Sequence, residues 1–573
     1  MNITINGRPV TCEKDDTVLE AAARAGIHIP HLCALDIAPT PHASCRVCIV
    51  EVEGESRLQT SCTMKVREGL SVRTHSPRVL RIRRNIVELL LTGHPDDCLY
   101  CERAHDCELS RLAALMDIRG RRYLGKAKDH PVDISSTAIV RDPNKCILCG
   151  RCVTVCHTEQ GVGAIDYAGR GFDACIRPGG DAGLEVSDCV FCGQCVRVCP
   201  TGALREKSSV AKVIEAFGKA EPDNFEMVAQ IAPAVTATMA VELGLGNPLM
   251  VLELIVGALR QIGFTAIYDT SFAADLTIME EAHEFVERLD KGSKLPMFTS
   301  CSPAWVRFVE LHRPQFVPHL STCKSPQQVA ATLIKKRAVE QGKQVYSVAI
   351  MPCTAKKHEA FEVGDLDSVL TTRELIRLLS NFGVELRADS EFRSQPDSPF
   401  VEASGAGRLF GGSGGVLEAA LRTAAHMLGE TVPPRATAST PLRSSERIRT
   451  FAVELGKRKL HCAVASGLGA AKMLLDQIEK KQLELDFVEV MSCPGGCVGG
   501  GGQPRDTSQS NDAILHARRG RIHDADKKAA LHSAHENQAV MHLYRDMLGE
   551  PGSAESHRLL HRRYHERISQ NLI

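Results

Sequence analysis

The chain lacks an excess of charge of either sign. Among its 573 residues, 69 Lys and Arg side chains balance 69 Asp and Glu side chains. A neutral balance creates no strong field for a polyanion, so we expect neither nucleic acid nor an anionic membrane surface as a partner. Partners must therefore be recognised at local sites.

Long apolar runs are also missing. The most apolar stretch, 250–259, contains Glu253 and is far shorter than the roughly 20 residues that cross a bilayer. The first residues, Met1 to Gly7, do not combine a basic segment with an apolar one, as a secretion signal does. These absences predict a soluble, cytoplasmic protein.

Cysteine, in contrast, is abundant, with 23 residues that fall mainly into short CxxC-type runs. In a small exported protein this would indicate disulfides, but in a reducing compartment closely spaced thiolates become metal ligands. Only Cys12, Cys175, Cys323 and Cys462 stand outside such groups. We therefore predict several metal centres, distributed over roughly four or five domains.

The first cysteine group is Cys33-x11-Cys45-x2-Cys48-x13-Cys62, in a segment of alternating apolar and polar residues with a predicted helix over 18–25. The alternation indicates a small mixed sheet. The spacing resembles that of plant-type ferredoxins, whose four loop thiolates hold a 2Fe-2S cluster. Structural zinc is the alternative at CxxC spacing. We assign this β-grasp module to residues 1–78.

The second group offers one imidazole and three thiolates, in the pattern His94-x3-Cys98-x2-Cys101-x5-Cys107, after a predicted amphipathic helix over 79–92. These donors suit either zinc or a 4Fe-4S cluster with one His ligand. Because the group stands between two cluster modules in the sequence, an insulating zinc ion there would interrupt an electron path. We therefore favour the cluster and assign this helical module to residues 79–125.

Two cysteine runs within residues 138–208 form a near-repeat that is specific for the bacterial 2x4Fe-4S ferredoxin. In this motif the fourth Cys of each run serves the other cluster. One predicted cluster therefore has as its ligands Cys146, Cys149, Cys152 and Cys199, and the other has Cys189, Cys192, Cys195 and Cys156.

From residue 228 onward, apolar strands such as 345–351 and 487–491 alternate with long helices, which indicates an α/β core. Three motifs lie in this region: Phe298-Thr299-Ser300-Cys301-Ser302-Pro303-Ala304-Trp305, Met351-Pro352-Cys353-Thr354-Ala355-Lys356-Lys357-His358-Glu359, and Met491-Ser492-Cys493-Pro494-Gly495-Gly496-Cys497 with a following glycine run. In this order, behind the cluster modules, they resemble the three signatures of FeFe hydrogenases of the multi-cluster clostridial type, over essentially the whole chain.

The resemblance implies an α/β catalytic domain, the H-domain, over 222–515, preceded by the α+β ferredoxin-like iron-sulfur modules. A helical segment similar to the small subunit of the family would follow over 516–573. The implied cofactors are one 2Fe-2S cluster, three accessory 4Fe-4S clusters and an H-cluster. The H-cluster joins a 4Fe-4S cube to a diiron unit that carries CO, cyanide and an azadithiolate.

The same resemblance implies an activity, the reversible reduction of protons to H2. Ferredoxin or a similar one-electron carrier would supply the electrons, which the accessory clusters would pass on to the H-cluster. Maturation proteins for the H-cluster are further implied partners. Ferredoxins with potentials near about −400 mV are well poised for this reaction.

Residues around the H-cluster also follow from the resemblance. Cys353 and Cys493 would hold the cube, Cys497 would bridge it to the diiron unit, and Lys356 would donate a hydrogen bond to a cyanide. The residues that would line the cofactor are Ala232, Pro233, Met351 and Met491, although both methionines equally suit a plain core role. The glycine run 499–502 predicts a close approach of backbone amides to the cofactor.

A proton path is implied as well. It would run from Cys301 through Glu281, Ser321 and Glu284 to the surface, with Arg288 steadying the outer carboxylate. Glu281 and Glu284 are three residues apart in a predicted helix over 273–289, so they share one helix face. Carboxylates on a helix are usually only solvated, and the resemblance is what favours a function here.

One departure from the family lies in the first signature, where the family has two adjacent cysteines and this chain has Cys301-Ser302. Either Ser302 coordinates iron through oxygen, or Cys301 becomes the ligand and a water or Ser302 replaces the relay. The register with Glu281 and Ser321 favours the first arrangement. A second function therefore stays open: a hydrogen sensor or electron-transfer protein whose H-cluster is slow or silent.

Overall fold

The structure, a computed structural model, describes residues 1–35, 43–219, 225–430, 443–456, 458–505 and 511–567. It divides into two compact units. The first unit comprises Met1–Glu159, Gly163–Ser187 and Val198–Arg205, and the second comprises Gln160–Val162, Asp188–Arg197 and Glu206–Ile573. The units do not follow the module boundaries expected from the cysteine groups, because the 2x4Fe-4S region contributes to both of them.

A five-stranded mixed sheet opens the first unit, with strand order β2-β1-β5-β3-β4. Its strands are β1 Asn2–Ile5, β2 Arg8–Thr11, β3 Ile49–Val52, β4 Gln59–Thr60 and β5 Ser71–Arg73. Helix α1, Val18–Arg24, begins with a capping box between Thr17 and Glu20. Buried residues of the sheet and the helix pack into one core, among them Ile5, Val50 and Ala21. The predicted mixed sheet with one helix is confirmed.

Apart from the 16-residue helix α2, the other elements of the cluster-binding region are short. They are α2 Pro77–Thr92, α3 Glu108–Leu115, β6 Ile139–Arg141, α4 Arg151–Thr154, β7 Asp166–Ala168, β8 Cys175–Arg177, α5 Gln194–Val198 and β9 Leu204–Glu206. Two small sheets form here, from β6 with β9 and from β7 with β8. Helix α2 starts where Ser76 caps it and Pro77 pre-sets its first turn.

Two four-stranded sheets form the framework of the second unit, with orders β11-β10-β13-β14 and β12-β17-β16-β15. The strands are β10 Phe225–Ile231, β11 Ala266–Asp269, β12 Met297–Phe298, β13 Gln344–Met351, β14 Ser368–Thr371, β15 Ile448–Leu455, β16 Arg458–Ser466 and β17 Phe487–Met491. Every pairing is parallel except that of β15 with β16. The carboxyl ends of the parallel strands in each sheet therefore share one edge, where α/β proteins build their sites.

Helices cover these sheets. They are α6 Val210–Phe217, α7 Pro233–Glu242, α8 Pro248–Gln261, α9 Thr270–Lys291, α10 Pro303–His312, α11 Pro326–Glu340, α12 Ala355–Val363, α13 Thr372–Asn381, α14 Gly405–Leu409, α15 Gly415–Met427, α16 Leu468–Glu479, α17 Asn511–Lys528, α18 Gln538–Leu543 and α19 Ala554–Leu560. The predicted α/β core is confirmed. The predicted boundary between residues 515 and 516 falls inside α17, so the C-terminal segment is better begun before Asn511. None of the helices in the described ranges combines the length and the apolar character that a membrane crossing needs.

Candidate active site

A cavity of about 80 Å³ lies in the second unit, where strands of both four-stranded sheets end. Its walls include the loops that follow β10, β12, β13 and β17. The residues predicted to contact the H-cluster all line it: Ala232, Pro233, Cys301, Ser302, Met351, Cys353, Lys356, Met491, Cys493 and Cys497. Side chains that are up to 265 residues apart in sequence therefore meet at one place because the parallel strands deliver them to common edges.

Three thiols, those of Cys353, Cys493 and Cys497, contribute to this wall. Burial, with the nearby Cys353, raises the pKa of Cys497 to about 12, and burial likewise raises the pKa of Cys353 and of Cys493. Such thiols lose their protons readily only to a metal centre. Soft sulfur donors in a mostly apolar cavity match the ligands of an iron-sulfur cluster. The residues present thus fit the cube of an H-cluster.

Cys301 and Ser302 have different surroundings. The hydroxyl oxygen of Ser302 lies 2.6 Å from that of Ser492, the neighbour of Cys493. Burial, followed by the charges of Glu281 and Cys497, raises the pKa of Cys301 well above its ordinary value. The charges that act on Cys301 are thus those of Glu281, the first carboxyl of the predicted proton path, and of Cys497, a predicted cluster ligand. Ser302, in contrast, contacts Ser492, the neighbour of the predicted ligand Cys493.

Lys356 is held by a carboxylate that the sequence analysis did not single out. Its Nζ donates to Oε2 of Glu359 at 2.8 Å and to the carbonyl oxygen of Cys301 at 3.2 Å. The same Glu359 oxygen accepts hydrogen bonds from Ser325 and Gln327 at 3.0 and 3.2 Å. Glu359 therefore fixes the ammonium group at the cavity wall. The spacing of Lys356 and Glu359, three apart in α12, was the available signal.

The glycine run next to Cys497 is closely packed against other parts of the protein. A Cβ atom at Gly499 would collide with the carbonyl oxygen of Pro494, and one at Gly500 with that of Pro352. At Gly501 the obstacle is the Cys192 backbone, and at Gly502 it is Thr371. Only Gly500 of this run lines the cavity. Close packing thus accounts for these glycines, and the approach of backbone amides to the cofactor stays a prediction.

The predicted proton path lies along α9 and the segment that begins at Ser321. Ser321 Oγ donates to Oε2 of Glu284 at 3.1 Å, and Arg288 donates to the other oxygen of Glu284 at 2.5 Å. Glu281 is fully buried, and its Oε2 has no hydrogen-bond partner among the described residues. Burial and the neighbouring Glu284 raise the pKa of Glu281 to about 8, although a hydrogen bond with Ser321 opposes this. Glu281 can therefore carry a proton at neutral pH.

A loop from the 2x4Fe-4S region packs against the same cavity. Cys192 is part of the cavity wall. Thr354, next to Cys353, donates its hydroxyl proton to the carbonyl oxygen of Phe191 at 2.7 Å. Gln194 Nε2 donates to the carbonyl oxygen of Gly499 at 2.9 Å. Hydrogen bonds thus tie the loops of Cys353 and Cys497 to the loop that carries three predicted cluster ligands, Cys189, Cys192 and Cys195.

The first unit contains three predicted cluster sites. The thiol of Cys33 lies within hydrogen-bonding reach of those of Cys45 and Cys62, and the thiol of Cys62 within reach of that of Cys48. A second set, Cys146, Cys149, Cys152 and Cys199, lines a small cavity of about 30 Å³. Each set contains the four ligands that the spacing predicted for one cluster.

At the third site, His94 is oriented as a metal-binding histidine would be. Its Nδ1 lies 3.0 Å from the carbonyl oxygen of Pro95. Its Nε2 is buried and has no hydrogen-bond partner in the described part of the chain. A backbone carbonyl that accepts the Nδ1 proton leaves the lone pair of Nε2 free for a metal.

The arrangement of these three sites corrects the serial order that the sequence suggested. Ser44, next to Cys45, donates its hydroxyl proton to the carbonyl oxygen of Cys149 at 3.1 Å. Cys107 of the His94 site approaches the carbonyl oxygen of Pro200, next to Cys199, at 3.8 Å. The 2Fe-2S site and the His94 site therefore each adjoin the Cys149/Cys199 site. A zinc ion at His94 would therefore not interrupt a path from the 2Fe-2S site to the Cys149/Cys199 site, contrary to what the sequence order predicted.

The second predicted cluster of the 2x4Fe-4S region has Cys189, Cys192, Cys195 and Cys156 as its predicted ligands. Cys189, Cys192 and Cys195 belong to the second unit, and Cys156 belongs to the first. Burial raises the pKa of Cys156 and, with the nearby Cys195, of Cys192. The grouping of these four residues as ligands of one cluster stays a prediction.

Five family models match the chain in the order of these sites. Residues 1–77 match a 2Fe-2S iron-sulfur cluster binding domain, 83–122 the iron-sulfur binding region of NADH-ubiquinone oxidoreductase G, and 145–203 a 4Fe-4S dicluster domain. Residues 225–501 match the C-terminal domain of the iron-only hydrogenase large subunit, and 512–567 the iron hydrogenase small subunit. The match over 83–122 supports an iron-sulfur cluster at His94.

Two relatives extend over nearly the whole chain. The NADP-reducing hydrogenase subunit HndD of Solidesulfovibrio fructosivorans is 40% identical over 591 aligned residues, which cover 99% of each chain. Iron hydrogenase 1 of Clostridium pasteurianum is 34% identical, with 98% of this chain and 99% of the relative covered. The chain belongs to the iron-only hydrogenase family. This confirms the resemblance that the three signatures indicated.

Solved structures agree with this assignment. The apo form of the FeFe hydrogenase HydA1 from Chlamydomonas reinhardtii superposes with a TM-score of 0.55 at 34% identity, and covers 63% of this chain and 99% of its own. As an iron-only hydrogenase with matching 2Fe-2S and 4Fe-4S domains, the chain carries iron-sulfur clusters of both types and an H-cluster. The predicted fold class, an FeFe hydrogenase domain preceded by ferredoxin-like modules, is confirmed.

Proposed function

We propose that this FeFe hydrogenase interconverts two protons and two electrons with H2 in the cavity of the second unit. The observation that carries the proposal is the meeting of the thiols of Cys353, Cys493 and Cys497, the cationic Lys356 and the thiol of Cys301 around one small cavity, next to the buried carboxyl of Glu281. When bound, the H-cluster supplies the open iron site and the basic bridge at which H2 is formed or split. The protein supplies the ligands, the proton path and the electron path.

Ligand roles are assigned by residue. Cys353 and Cys493 would hold the cube, Cys497 would be the bridging ligand, and Ser302 would stand at the fourth position. Support comes from the thiols in the cavity wall and from the contact of Ser302 with Ser492, beside Cys493. Lys356, fixed by Glu359, would donate a hydrogen bond to a cyanide, and Ala232, Pro233, Met351 and Met491 would line the cofactor.

Protons pass between Cys301 and solvent through Glu281, Ser321 and Glu284. Glu281 accepts or gives a proton near neutral pH because burial raises its pKa to about 8. Ser321 connects the two carboxyl groups, and Arg288 holds the outer one in place. A step of this kind needs donors and acceptors at hydrogen-bond distance, which the contacts along α9 support.

The accessory clusters, when bound, would supply the electron route, and the Cys192 loop would hold the one next to the cube. The hydrogen bonds of Thr354 with Phe191 and of Gln194 with Gly499 support this route, because they hold the Cys192 loop against the loops of Cys353 and Cys497. We propose one 2Fe-2S and three accessory 4Fe-4S clusters besides the H-cluster. Their ligands are those that the spacing predicts, including Cys156 with the Cys189 run and Cys98, Cys101 and Cys107 with His94.

The electron carrier is a further part of the proposal. A ferredoxin or a similar one-electron carrier suits a chain of one-electron clusters, and we propose it as the partner. The relative HndD is named for NADP reduction, which favours a second candidate: a partner subunit that exchanges electrons with NADP. Maturation proteins that insert the diiron unit, and a cytoplasmic location, complete the proposal.

Module boundaries at residues 1–78, 79–125 and 138–208 stay part of the proposal. The catalytic module would extend from 222 to the residue before α17. A sensor with a silent H-cluster is less favoured, since the two relatives that match almost the full chain are named as hydrogenases.

The function is tested by adding reduced methyl viologen to the anaerobically matured protein and measuring H2, and by supplying H2 to the oxidised dye. Turnover in both directions is expected. Replacement of viologen by reduced ferredoxin or by NADPH then separates the two carriers. Protein with its full iron content that neither produces nor consumes H2 would favour the sensor.

A further inference from the structure

A second cavity, of about 420 Å³, lies at the outer end of the proposed proton path. Its wall combines Glu284 and Arg288 with residues of the C-terminal segment, among them His557 and His561. Glu280, next to the path residue Glu281, also belongs to this wall. None of these histidines is part of the path described above.

Thr322 connects Glu284 to His561. Its main-chain nitrogen donates to Oε2 of Glu284 at 2.9 Å. Its hydroxyl oxygen lies 3.3 Å from the same carboxyl oxygen and 2.8 Å from Nδ1 of His561. One hydroxyl thus stands between a carboxyl group and an imidazole nitrogen, within hydrogen-bond distance of both.

The two oxygens of Glu284 have different contacts. Oε1 is held by Arg288, whereas Oε2 accepts from Ser321 on the inner side and from Thr322 on the outer side. A proton delivered through Ser321 therefore arrives at the oxygen from which Thr322 can remove it. The geometry favours transfer along this line over transfer through the guanidinium group, which does not give up its proton in proteins.

Glu280 is the counter-ion of His561. Its Oε2 lies 2.9 Å from Nε2 of His561, and both side chains are buried, with exposed fractions of 0% and 6%. Tyr544 and the main-chain nitrogen of Gly552 also donate to Glu280, at 2.6 and 2.9 Å. Burial raises the pKa of Glu280, but the hydrogen bonds from His561, Tyr544 and Gly552 outweigh it and hold this pKa below its ordinary value. A buried carboxylate in this position stabilises an imidazolium.

We propose that Thr322 and His561 extend the proton path from Glu284 into the C-terminal segment. The inference deepens the proposed function and rests on it. In the outward direction, the carboxyl proton of Glu284 moves to Oγ1 of Thr322 while the hydroxyl proton of Thr322 moves to Nδ1 of His561. Glu284 is left as a carboxylate, and His561 becomes an imidazolium paired with Glu280. Inward transfer is the reverse.

Release to solvent completes the step. The ring of His557 lies 4.0 Å from that of His561, centre to centre, and His557 is exposed on the same cavity. Water in this cavity takes one proton from the imidazolium, which returns to neutral imidazole. The charged groups that face His561 are Glu280 directly, Glu284 through Thr322, and His557 when protonated.

Three variants of the matured full-length enzyme test the relay: His561→Ala, Thr322→Val and His565→Ala. His565 lines the same cavity, and its hydrogen bond to Glu310 uses only its main-chain nitrogen, so it is a matched control. Loss of one proton-transfer group typically costs about 100-fold or more. We expect H2 evolution to fall at least about tenfold in the first two variants, and to stay within twofold of wild type in His565→Ala, at equal iron content.

Added imidazole separates a relay from a structural role. It should restore turnover in His561→Ala, since a free imidazole can occupy the vacated place. It should not restore Thr322→Val, where the missing hydroxyl lies upstream of the ring. Unchanged turnover in both variants, an equal fall in His565→Ala, or the absence of rescue would overturn the proposal.

A measurement independent of turnover uses nitrogen-15 NMR of the histidine rings in the full chain. Glu280→Gln should change the nitrogen-15 shift of Nε2 of His561, because its hydrogen-bond partner changes from a carboxylate to an amide. An unchanged shift would contradict the pairing. Wild-type enzyme that fails to turn over H2 would remove the proposed function and this relay together, whereas an active wild type with an equally active His561→Ala would remove the relay alone.

Discussion

In the first unit, one apolar cluster consists of nine buried residues, and four of these are predicted cluster ligands, namely Cys33, Cys45, Cys107 and Cys149. In the second unit, the apolar cluster around β10 and β13 contains no cysteine within the described residues. Part of the core of the first unit is therefore built from groups that bind iron. The apolar cluster around β10 and β13 is built mainly from aliphatic side chains, and the predicted H-cluster ligands Cys353, Cys493 and Cys497 line a cavity at the strand ends.

This difference has a physical consequence. A site that does not exist in the unfolded chain contributes its metal-binding free energy to folding. The first unit should thus depend on its clusters for stability, especially outside the sheet of residues 1–78. The second unit should keep its fold without the H-cluster, as a preformed receptor for it.

The largest expected effect is that of iron removal. After chelation, amide exchange in α2 and α3 should accelerate at least about a hundredfold, a loss of about 2.7 kcal/mol. The strands β10 and β13 should keep their protection. Hydrogen exchange followed by mass spectrometry measures both regions in one sample. Equal loss of protection in the two units would show that the second is no preformed receptor.

Glu281→Gln tests the proton path beside the cavity of the second unit. The amide occupies the same volume but cannot carry the proton, so H2 evolution should fall by about two to four orders of magnitude. Iron content should not change, since Glu281 holds no metal. Glu287→Gln, six residues along the same helix in an exposed pair with Lys291, is the matched control. Comparable activity of the two variants would exclude Glu281 from the path.

The Cys301-Ser302 pair offers a third test. A serine oxygen binds iron less softly than a thiolate does, so Ser302→Cys should raise both the occupancy of the cube and H2 evolution. Cys301→Ala should retain the cube and lose turnover, because a relay mutant keeps its ligands. Iron analysis and H2 assays of both variants measure this. Loss of the cube in Cys301→Ala would assign the ligand role to Cys301 instead.

Stability should also depend on Glu281. Its pKa of about 8 in the folded protein exceeds the 4.5 of an exposed carboxyl. The folded state therefore binds this proton more tightly, and the free energy of unfolding decreases as the pH rises from about 5 to about 8. Glu281→Gln lacks this decrease. From about pH 5 to about pH 8, its free energy of unfolding should therefore rise by up to about 3 kcal/mol relative to that of the wild type. Urea unfolding, followed by the fluorescence of Trp305, measures the difference. A constant difference at both pH values would contradict it.

The smallest expected change concerns His94. His94→Cys should keep a cluster and lower its reduction potential, because a thiolate adds negative charge where the neutral imidazole was. A redox titration followed by electron paramagnetic resonance measures the shift. An equal or higher potential would mean that His94 is not a ligand, and stoichiometric zinc in the wild type would mean that this site holds no cluster.

Local patterns predicted part of the fold. The strand expected over 487–491 is β17 to the residue, and the helix expected over 79–92 begins two residues earlier, at Pro77. Cysteine spacing likewise predicted that the four thiols of the Cys33 group form one site, because the ligands of an iron-sulfur cluster lie close together in short loops. Such features depend on nearest neighbours and periodicity, which a sequence carries directly.

Contacts between distant segments could not be predicted in this way. Ser302 meets Ser492, and Glu280 meets His561 across 281 residues, because the fold brings their elements together. The close packing of the glycine run 499–502 could not be predicted for the same reason, since Gly500 and Gly501 pack against the backbone of other loops. Sequence order also suggested that electrons pass through the clusters one after another. The contact of Ser44 with Cys149 instead predicts a branched path.

The central claim is that the thiols of Cys353, Cys493 and Cys497 make this cavity the receptor of an H-cluster. Infrared spectroscopy of the matured protein tests it most directly, because CO and cyanide on iron absorb where protein does not. We expect both kinds of band in the wild type and neither in Cys497→Ala, whose accessory clusters should stay intact. Absence of the bands from fully matured wild type, or their persistence in Cys497→Ala, would contradict the account.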